Sequence, residues 1–445
     1  MLLKPAGQPE SHHITEKPNR LALLEGLALF ISAPFLLFPE PYPLLTLTGL
    51  ILVGVAWLLP LVLNSRPNLP VTPFNLVILA WGICLIVGIL VTSDPVDTFP
   101  KSTGLILGLA VWHYMAVFID KYERFRVALA LTLAIAAGFS LIGLAGLDMI
   151  IKIPALANIN PLNQVANPLP RDLAIHPNQL AGLICLYLPL LASLFFAKPS
   201  NKKSNWEKVG LAILFIIALF ILLLTQSRGG WIATTAGFYT LLLLWSVVLP
   251  PSGTRRVLAG LTISLAVIVA IVFLRIGPSQ LAAFWLDPPA ETIVGTLETL
   301  NYRRELWPWA IQAVSDFPFT GTGLGAFRQV AFRLYPLSLN PNLDIGHAHN
   351  IFLQIALDVG LPGLIAYLAL ILLAGFIGWR VARRNPILRP AALGLLAGLV
   401  ALHVFGLADA LALGSKPGIV FWSMMGLLTG MNRITPGRKI TPPVD

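Results

Sequence analysis

Long runs of apolar residues, separated by short polar connections, dominate the chain. A helix needs about 20 apolar residues to cross roughly 30 Å of hydrocarbon, and the runs have that length. The pattern therefore predicts an all-α polytopic membrane protein with about twelve transmembrane helices. These lie near 21–38, 43–63, 74–92, 102–118, 127–150, 179–197, 209–226, 230–249, 257–275, 360–378, 390–410 and 417–432.

Composition supports the same class. Of 445 residues, 56% are hydrophobic and only 11% are charged, whereas about 25% charged residues is typical of soluble domains. Mean hydropathy is +0.80. These values exclude a water-soluble enzyme, a disordered chain and a fibrous protein. Transmembrane β-strands alternate apolar and polar residues, so the continuous runs argue against a β-barrel.

The net charge of +10 is explained by membrane orientation. Most basic residues fall in the segments that are cytoplasmic if both termini are, with dense groups in Lys198–Lys208 and Arg380–Arg389. The positive-inside rule therefore predicts twelve spans with both termini in the cytoplasm. We expect no nucleic-acid partner, because no soluble basic domain is present. Cys84 and Cys185 lie inside apolar runs, so we expect neither a disulfide framework nor a cysteine metal site.

Five segments follow from this topology. Residues 1–20 form a cytoplasmic tail, 21–275 hold helices one to nine, and 276–359 form a large extracytoplasmic loop with short interfacial helices. Residues 360–432 hold the last three helices and 433–445 a second cytoplasmic tail. Long loops in compact proteins are usually functional or disordered, and the Trp residues in this one favour an ordered loop on the membrane surface.

Arg228 stands out because charge is costly near hydrocarbon. It lies in Ser227-Arg228-Gly229-Gly230, at the predicted outer end of a span. One interpretation is a snorkelling anchor beside Trp231. The other is an anion ligand, because the two glycines would let an anion approach the backbone closely.

Arg303 and Arg304 form a second basic group, in the large loop. A guanidinium offers forked donors that suit phosphate oxygens. An Arg–phosphate contact at about 4 Å could contribute on the order of 4 kcal/mol before desolvation, at an effective dielectric near 20. The alternative is an arginine paired with Glu305 on a solvated helix face. Residues Arg304–Val314 have an amphipathic, helical periodicity.

A third group, His347-Ala348-His349-Asn350, precedes a short apolar stretch that ends at Gly360. Asn350 is a candidate N-cap for a short helix over 351–359. His349 would then lie at a helix N-terminus, where the positive dipole and nearby arginines favour a neutral imidazole that can act as a general base. A metal site is less favoured, because no carboxylate or cysteine cluster accompanies the histidines in sequence.

Other polar residues are candidates for substrate contacts. Arg171 and His176, in the other outer connection, could contact phosphate and glycan respectively. Asp409, near the outer end of the eleventh span, could orient a catalytic group. His113 and His403 lie within spans and are more simply hydrogen-bonded core residues.

Several motifs together resemble those of O-antigen ligases and the related Wzy-like O-antigen polymerases. His349-Asn350, followed after nine residues by Gly360-Leu361-Pro362-Gly363, is the most specific. Ser227-Arg228-Gly229 resembles the family's Ser-Arg-Gly. Arg303–Trp307 and Pro318–Gly323 resemble its Arg-x-x-x-Trp and Pro-x-x-Gly-x-Gly stretches. The resemblance covers most of the chain.

This resemblance implies a GT-C-type membrane glycosyltransferase in the bacterial inner membrane, with neither metal nor other cofactor. Such enzymes transfer a glycan from undecaprenyl diphosphate to an acceptor hydroxyl, on lipid A-core or another glycolipid or glycan, with inversion. By position, Arg228 and Arg303 would hold the diphosphate, with Arg304 as the alternative to Arg303, and His349 would be the general base. Arg171, His176, His347, Asn350 and Asp409 are the further candidates for substrate binding.

Three other functions stay open. A polysaccharide polymerase of the same superfamily would differ in its acceptor, and the histidine motif favours the ligase. A solute transporter, such as one for inorganic carbon, would place ionisable residues near the bilayer midplane, whereas here they concentrate on one surface. A scaffold for an export machine would leave the arginines and histidines without a shared site.

Overall fold

The computed structural model describes residues 20–64, 70–145, 175–197, 204–286, 291–292, 295–296, 298–337 and 346–435. Helices account for almost all of this part of the chain, together with one short antiparallel pair of strands. In chain order the elements are α1 (Arg20–Leu37), α2 (Pro43–Asn64), α3 (Asn75–Leu90), α4 (Pro95–Phe118), α5 (Tyr122–Ala145), α6 (Pro177–Phe195), α7 (Ser204–Leu224), α8 (Arg228–Val248), α9 (Gly253–Leu286), β1 (Glu291–Thr292), β2 (Gly295–Thr296), α10 (Glu298–Asp316), α11 (Phe327–Leu334), α12 (Ile351–Arg384), α13 (Arg389–Phe405) and α14 (Gly418–Arg433).

Every predicted span overlaps one of these helices. Six of them, α5 to α9 and α12, are long and apolar enough to cross a membrane. The described residues therefore confirm a helical, polytopic membrane protein. The number of twelve crossings, their orientation and the GT-C architecture remain predictions.

Helices α4, α6, α13 and α14 lie at the centre of the bundle. In α6, 78% of the apolar stretch is buried inside the protein, against 6% in α9, whose side chains therefore face the surroundings. Small residues let the central helices approach closely. A Cβ on Gly108 would lie 2.1 Å from the Trp422 ring, and one on Gly398 would lie 2.0 Å from the Leu186 carbonyl oxygen.

The polar segment between α9 and α12 is largely helical where it is described. Helix α9 continues past its predicted end to Leu286, after a break at Gly277 (φ +72°) and Pro278. Helix α10 contains the predicted amphipathic stretch Arg304–Val314 and confirms it. The short helix α11 follows.

Helix α12 bends sharply at Gly360, which has φ +74°. Residues 351–359 form the predicted short helix, and the bend joins it to the long arm of α12. A Cβ at position 360 would lie 2.4 Å from the carbonyl oxygen of Phe319, so this position requires glycine. Beyond the bend, the Leu361 N–H donates to the carbonyl oxygen of Pro318 (2.8 Å).

A glycine-rich loop after α10 contacts both α3 and α12. Gly321, Gly323 and Gly325 all have positive φ. The Thr322 N–H donates to the carbonyl oxygen of Leu357 (2.7 Å), and the Leu324 N–H donates to that of Gly88 (2.9 Å). These bonds fix α10 relative to the first arm of α12. The Pro-x-x-Gly-x-Gly motif is thereby explained as a structural connection.

Candidate functional site

Two helices begin with the same local geometry, and each presents a functional side chain there. His349 has φ +48° and precedes Asn350, the N-cap of α12, whose Oδ1 accepts from the N–H groups of Phe352 and Leu353 (3.0 and 3.1 Å). The predicted N-cap role of Asn350 is confirmed. A left-handed residue before a cap turns the chain sharply, so the His349 side chain lies at the start of the helix.

Arg228 is placed in the same way at the start of α8. Gln226 has φ +50°, and Ser227 is the N-cap, its Oγ accepting from the Gly230 N–H (3.3 Å). The Nη1 atom of Arg228 is buried and finds no hydrogen-bond partner among the described residues. A buried guanidinium nitrogen without a partner is costly, and an anionic ligand would supply the missing acceptor.

The C-terminal end of α13 brings the two helix starts together. The Ile351 N–H donates to the carbonyl oxygen of Gly406 (2.7 Å), and Asn350 Nδ2 donates to that of Leu407 (3.1 Å). On the other side, a Cβ on Gly229 would lie 3.8 Å from the ring of Phe405. Residues 405–407 therefore contact both the start of α8 and residues His347–Asn350, which we call the histidine loop.

Asp409 lies just beyond this junction and connects four polar side chains. Its carboxylate oxygens lie 3.5 Å from His347 Nε2, 3.4 Å from His349 Nδ1 and 3.9 Å from Arg303 Nη2. It also accepts a hydrogen bond from Asn178 Nδ2 (2.6 Å). Only 6% of the Asp409 side chain is exposed. Residues from α6, α10, the histidine loop and the end of α13 thus converge on one buried carboxylate.

Nearby charges and hydrogen bonding set the protonation state of Asp409, and burial sets that of His347. Burial by itself raises the pKa of Asp409, but its contacts with His349 and the nearby charges of His347 and Arg303 outweigh burial and hold the pKa below its ordinary value. Burial lowers the pKa of His347 to about 3, against the opposing effect of Asp409. Asp409 is therefore ionised and His347 neutral at neutral pH.

Arg303 lies on α10 with 12% of its side chain exposed. Burial lowers its pKa, Asp409 opposes that change, and the nearby charge of Arg228 lowers it further. Arginine stays protonated despite such shifts. The cluster thus holds two guanidinium groups against one carboxylate, and the excess positive charge suits an anion.

Arg304 points elsewhere, although it is next in sequence. Its Nη1 donates to the carbonyl oxygen of Leu286 at the end of α9. Tyr302, on the other side of Arg303, packs edge to face against His349, with ring centroids 5.4 Å apart. The structure therefore places Arg303 and Tyr302 at the cluster and Arg304 at α9.

The histidines and Asp409 also have the composition of a metal site. Their ligand atoms all lie within 4.8 Å of one another. No carboxylate or cysteine cluster accompanies His347 and His349 in sequence, but the fold brings the single carboxylate of Asp409 to them. Arg303, 3.9 Å from the same carboxylate, disfavours a cation there by charge repulsion.

The remaining candidates divide between the site and its surroundings. His176 is the N-cap of α6, with Nδ1 accepting from the Asn178 N–H (3.2 Å), so it lies two residues from a direct partner of Asp409. Arg171 lies outside the described residues. Asn178 was missed by the sequence analysis, where only its position after Pro177 at a helix start could have marked it.

Among the other ionisable residues, His403 accepts or donates a hydrogen bond with Tyr367 (2.8 Å) and lies in α13. His113 contacts Glu25 (2.6 Å) between α4 and α1. Both histidines are part of the packed helices, as expected for core residues, and no described contact joins them to Asp409.

An integral membrane protein with an Arg–His–Asp cluster at adjoining helix ends is the class that the fold and site define. Residues 213–368 match the family model described as O-Antigen ligase. The chain is also similar to a protein named O-antigen ligase from Pseudomonas aeruginosa, with 26% identity over 263 residues. That alignment covers 57% of this chain and 57% of the relative, so the chain matches little more than half the relative's length. These matches confirm the resemblance predicted from the motifs. The segment that the family model matches contains Arg228, Arg303 and His349.

Proposed function

We propose that the protein is a glycosyltransferase that moves a glycan from undecaprenyl diphosphate to an acceptor hydroxyl. The observation that carries this proposal is that His349 and Arg303 both lie within 4 Å of the Asp409 carboxylate. Arg228 is near enough for its charge to act on Arg303. The similarity to O-antigen ligases supports the same reaction class.

The donor diphosphate is held by Arg228 and Arg303. The partnerless Nη1 of Arg228 and the buried guanidinium of Arg303 provide donors for phosphate oxygens. The N-terminus of α8 adds its positive dipole at the same place. These groups stabilise the negative charge that develops on the diphosphate as it leaves. They do so without metal, so chelation is expected to leave the reaction unaffected.

His349 is the general base. Its Nδ1 faces Asp409 at 3.4 Å, which leaves Nε2 on the opposite edge of the ring. An ionised Asp409 favours the tautomer with the proton on Nδ1, so the Nε2 lone pair can accept the proton of the acceptor hydroxyl. Asp409 also stabilises the imidazolium that forms.

A single displacement accounts for the reaction. The acceptor oxygen forms a bond to the anomeric carbon as its proton passes to His349 Nε2. The bond from that carbon to the diphosphate oxygen breaks, and the leaving group takes the electron pair. Attack opposite the leaving group inverts the anomeric centre. The proton returns to solvent before the next cycle.

Location and acceptor complete the proposal. The basic residues favour an inner-membrane protein with both termini cytoplasmic, which places the cluster on the extracytoplasmic face. The acceptor is a glycolipid such as lipid A-core or another glycan. Because His349 would activate any hydroxyl in the same way, the acceptor alone distinguishes the ligase from a polymerase of the same superfamily.

The experiment uses the purified protein in liposomes that contain an undecaprenyl-diphosphate glycan. Lipid A-core and a second lipid-linked glycan are offered separately, and both glycan transfer and release of undecaprenyl diphosphate are measured. Arg228→Ala is compared with Arg255→Ala, because Arg255 bonds the Ser246 carbonyl near the opposite end of α8.

The proposal expects transfer that Arg228→Ala abolishes and Arg255→Ala retains. Transfer to lipid A-core identifies a ligase, and transfer only to a lipid-linked glycan identifies a polymerase. Absence of transfer to every acceptor, together with full complementation of a deletion strain by Arg228→Ala, would overturn the proposal and favour transport.

A further inference from the structure

Gln354, on the first arm of α12, connects the histidine loop to a buried carboxylate. Its Oε1 accepts from the Ala348 N–H (2.8 Å), and its Nε2 donates to Asp358 Oδ1 (2.8 Å). The same Asp358 oxygen accepts from the Gly325 N–H (2.9 Å). Only 3% of Gln354 is exposed. The chain of bonds runs from the glycine-rich loop to the peptide between the two site histidines.

The orientation of the Gln354 amide follows from its partners. The Ala348 N–H can only donate, so it requires the amide oxygen. Asp358 Oδ1, which already accepts from the Gly325 N–H, accepts from the amide nitrogen at the other end. A flipped amide would lose both hydrogen bonds at once. Ala348 and Asp358 together therefore hold the amide oxygen of Gln354 toward the histidine loop.

A second bond holds the other side of Ala348. Trp307 Nε1 donates to the Ala348 carbonyl oxygen (2.9 Å), and Ala348 is fully buried. The N–H and the carbonyl of Ala348 are thus both bonded to side chains from other helical turns. Trp307 lies one helical turn after Arg303 on α10, so the same helix supports the loop and one arginine of the site.

The histidine loop needs this support because of its backbone. His349 has a backbone φ of +48°, which residues with a Cβ rarely adopt. Such a conformation persists only where its surroundings determine it. Within the loop, His347 Nδ1 accepts from the backbone N–H of His349 (3.1 Å), so the His347 ring also holds the His349 backbone.

We propose that Gln354 is a positioning residue that holds His349 in its reactive orientation through the Ala348 peptide, with Trp307 as its counterpart on the carbonyl side. The proposal rests on the proposed function for the role of His349. In this role Gln354 acts through the Ala348 peptide and not by contact with donor or acceptor. Its loss lets the imidazole move relative to the acceptor hydroxyl and leaves Arg228 and Arg303 unchanged.

The test compares Gln354→Met with Gln329→Met. Like Gln354, Gln329 donates a hydrogen bond from Nε2 to an aspartate, here Asp94 Oδ2 (2.7 Å). No described contact joins Gln329 to the histidine loop. Trp307→Phe removes the indole donor and keeps an aromatic ring, so it serves as a second variant if Gln354→Met folds poorly. Each protein is assayed in liposomes for kcat and for donor KM, and by hydrogen–deuterium exchange over residues 346–350.

The proposal expects Gln354→Met to lower kcat by roughly 10²-fold, the scale of a 1 Å misplacement, with donor KM within about 3-fold of wild type. Exchange over 346–350 rises in Gln354→Met and Trp307→Phe, and not in Gln329→Met. A kcat within about 2-fold of wild type, or unchanged exchange, would overturn the positioning role while the proposed function stands. If wild type transfers no glycan, the proposed function fails, and the exchange measurement still decides whether Gln354 holds the loop.

Discussion

Replacement of Arg303 by glutamine tests the diphosphate site most selectively. Arg303 is 12% exposed in its side chain and lies 3.9 Å from Asp409. Glutamine retains a polar amide on a shorter side chain and removes the charge and the forked donors. Arg304→Gln is the matched control, because the neighbouring guanidinium bonds to the carbonyl oxygen of Leu286.

The magnitude follows from the charge and its burial. A full charge about 4 Å from a phosphate oxygen interacts by about 4 kcal/mol at an effective dielectric near 20. Mutational data for hydrogen bonds to charged groups give about 1.5–3 kcal/mol, because water compensates part of the loss. We therefore expect about 3 kcal/mol, which corresponds to roughly a 100-fold decrease in kcat/KM. Arg304→Gln should change kcat/KM by less than about 3-fold, as expected for an exposed charge.

The assay measures initial rates in liposomes at several donor concentrations, with thermal unfolding of each variant in detergent as the check on folding. An equal loss of kcat/KM in both variants would show that general positive charge, and not the placement of Arg303, matters. Wild-type kcat/KM in Arg303→Gln would refute the assignment of the diphosphate to this residue.

Three further predictions concern the cluster and the fold. Asp409→Asn removes the charge beside both histidines and should lower kcat by roughly 10²-fold or more, measured as single-turnover transfer; an unchanged rate would refute the role of Asp409. Dialysis against EDTA should leave transfer unchanged, whereas a loss that Zn²⁺ restores would identify His347, His349 and Asp409 as metal ligands. Gly360→Ala should lower the free energy of unfolding by at least about 2 kcal/mol, because position 360 has φ +74° and a Cβ there would lie 2.4 Å from the carbonyl oxygen of Phe319. Gly375→Ala, where a Cβ meets nothing within 4 Å, should not lower the unfolding temperature.

Helix positions could be predicted from the sequence because hydrocarbon demands a long apolar run for each crossing. The N-cap role of Asn350 and the helix over Arg304–Val314 were also predicted, since both follow from local chemistry. Local patterns do not report how far helices continue across breaks. The helical segment after Gly277 was not predicted, because this glycine interrupts the helix with φ +72° and a second segment follows it to Leu286. At Gly360, which interrupts α12 in the same way, the short helix over 351–359 was predicted.

The site was predictable only in part. Arg228, Arg303 and His349 attract attention because charged and titratable groups at membrane surfaces need a reason. The choice between Arg303 and Arg304 depends on the phase of α10, which its packing against the histidine loop decides. Asp409 was predicted as an orienting or substrate-binding residue and not as the carboxylate between the two histidines, and its partner Asn178 was missed. These two residues are 231 positions apart, so only the tertiary fold brings them together.

Gln354 shows the same limit. In sequence it is a polar residue within an apolar stretch. Its importance comes from the Ala348 N–H on one side and Asp358 on the other. Spacing along the helix places Gln354 and Asp358 one turn apart on the same face, but no sequence pattern shows that the histidine loop folds back onto that face.

The most direct test separates donor binding from transfer in His349→Ala. Binding of the undecaprenyl-diphosphate glycan is measured at equilibrium. Transfer is measured in a single turnover, with the acceptor that supports transfer in the liposome assay. The account predicts donor affinity within about 3-fold of wild type and transfer slower by about 10²–10⁴-fold, the range for loss of a general base. Transfer at the wild-type rate would contradict the account, and so would a loss of donor affinity large enough to explain the whole decrease in transfer.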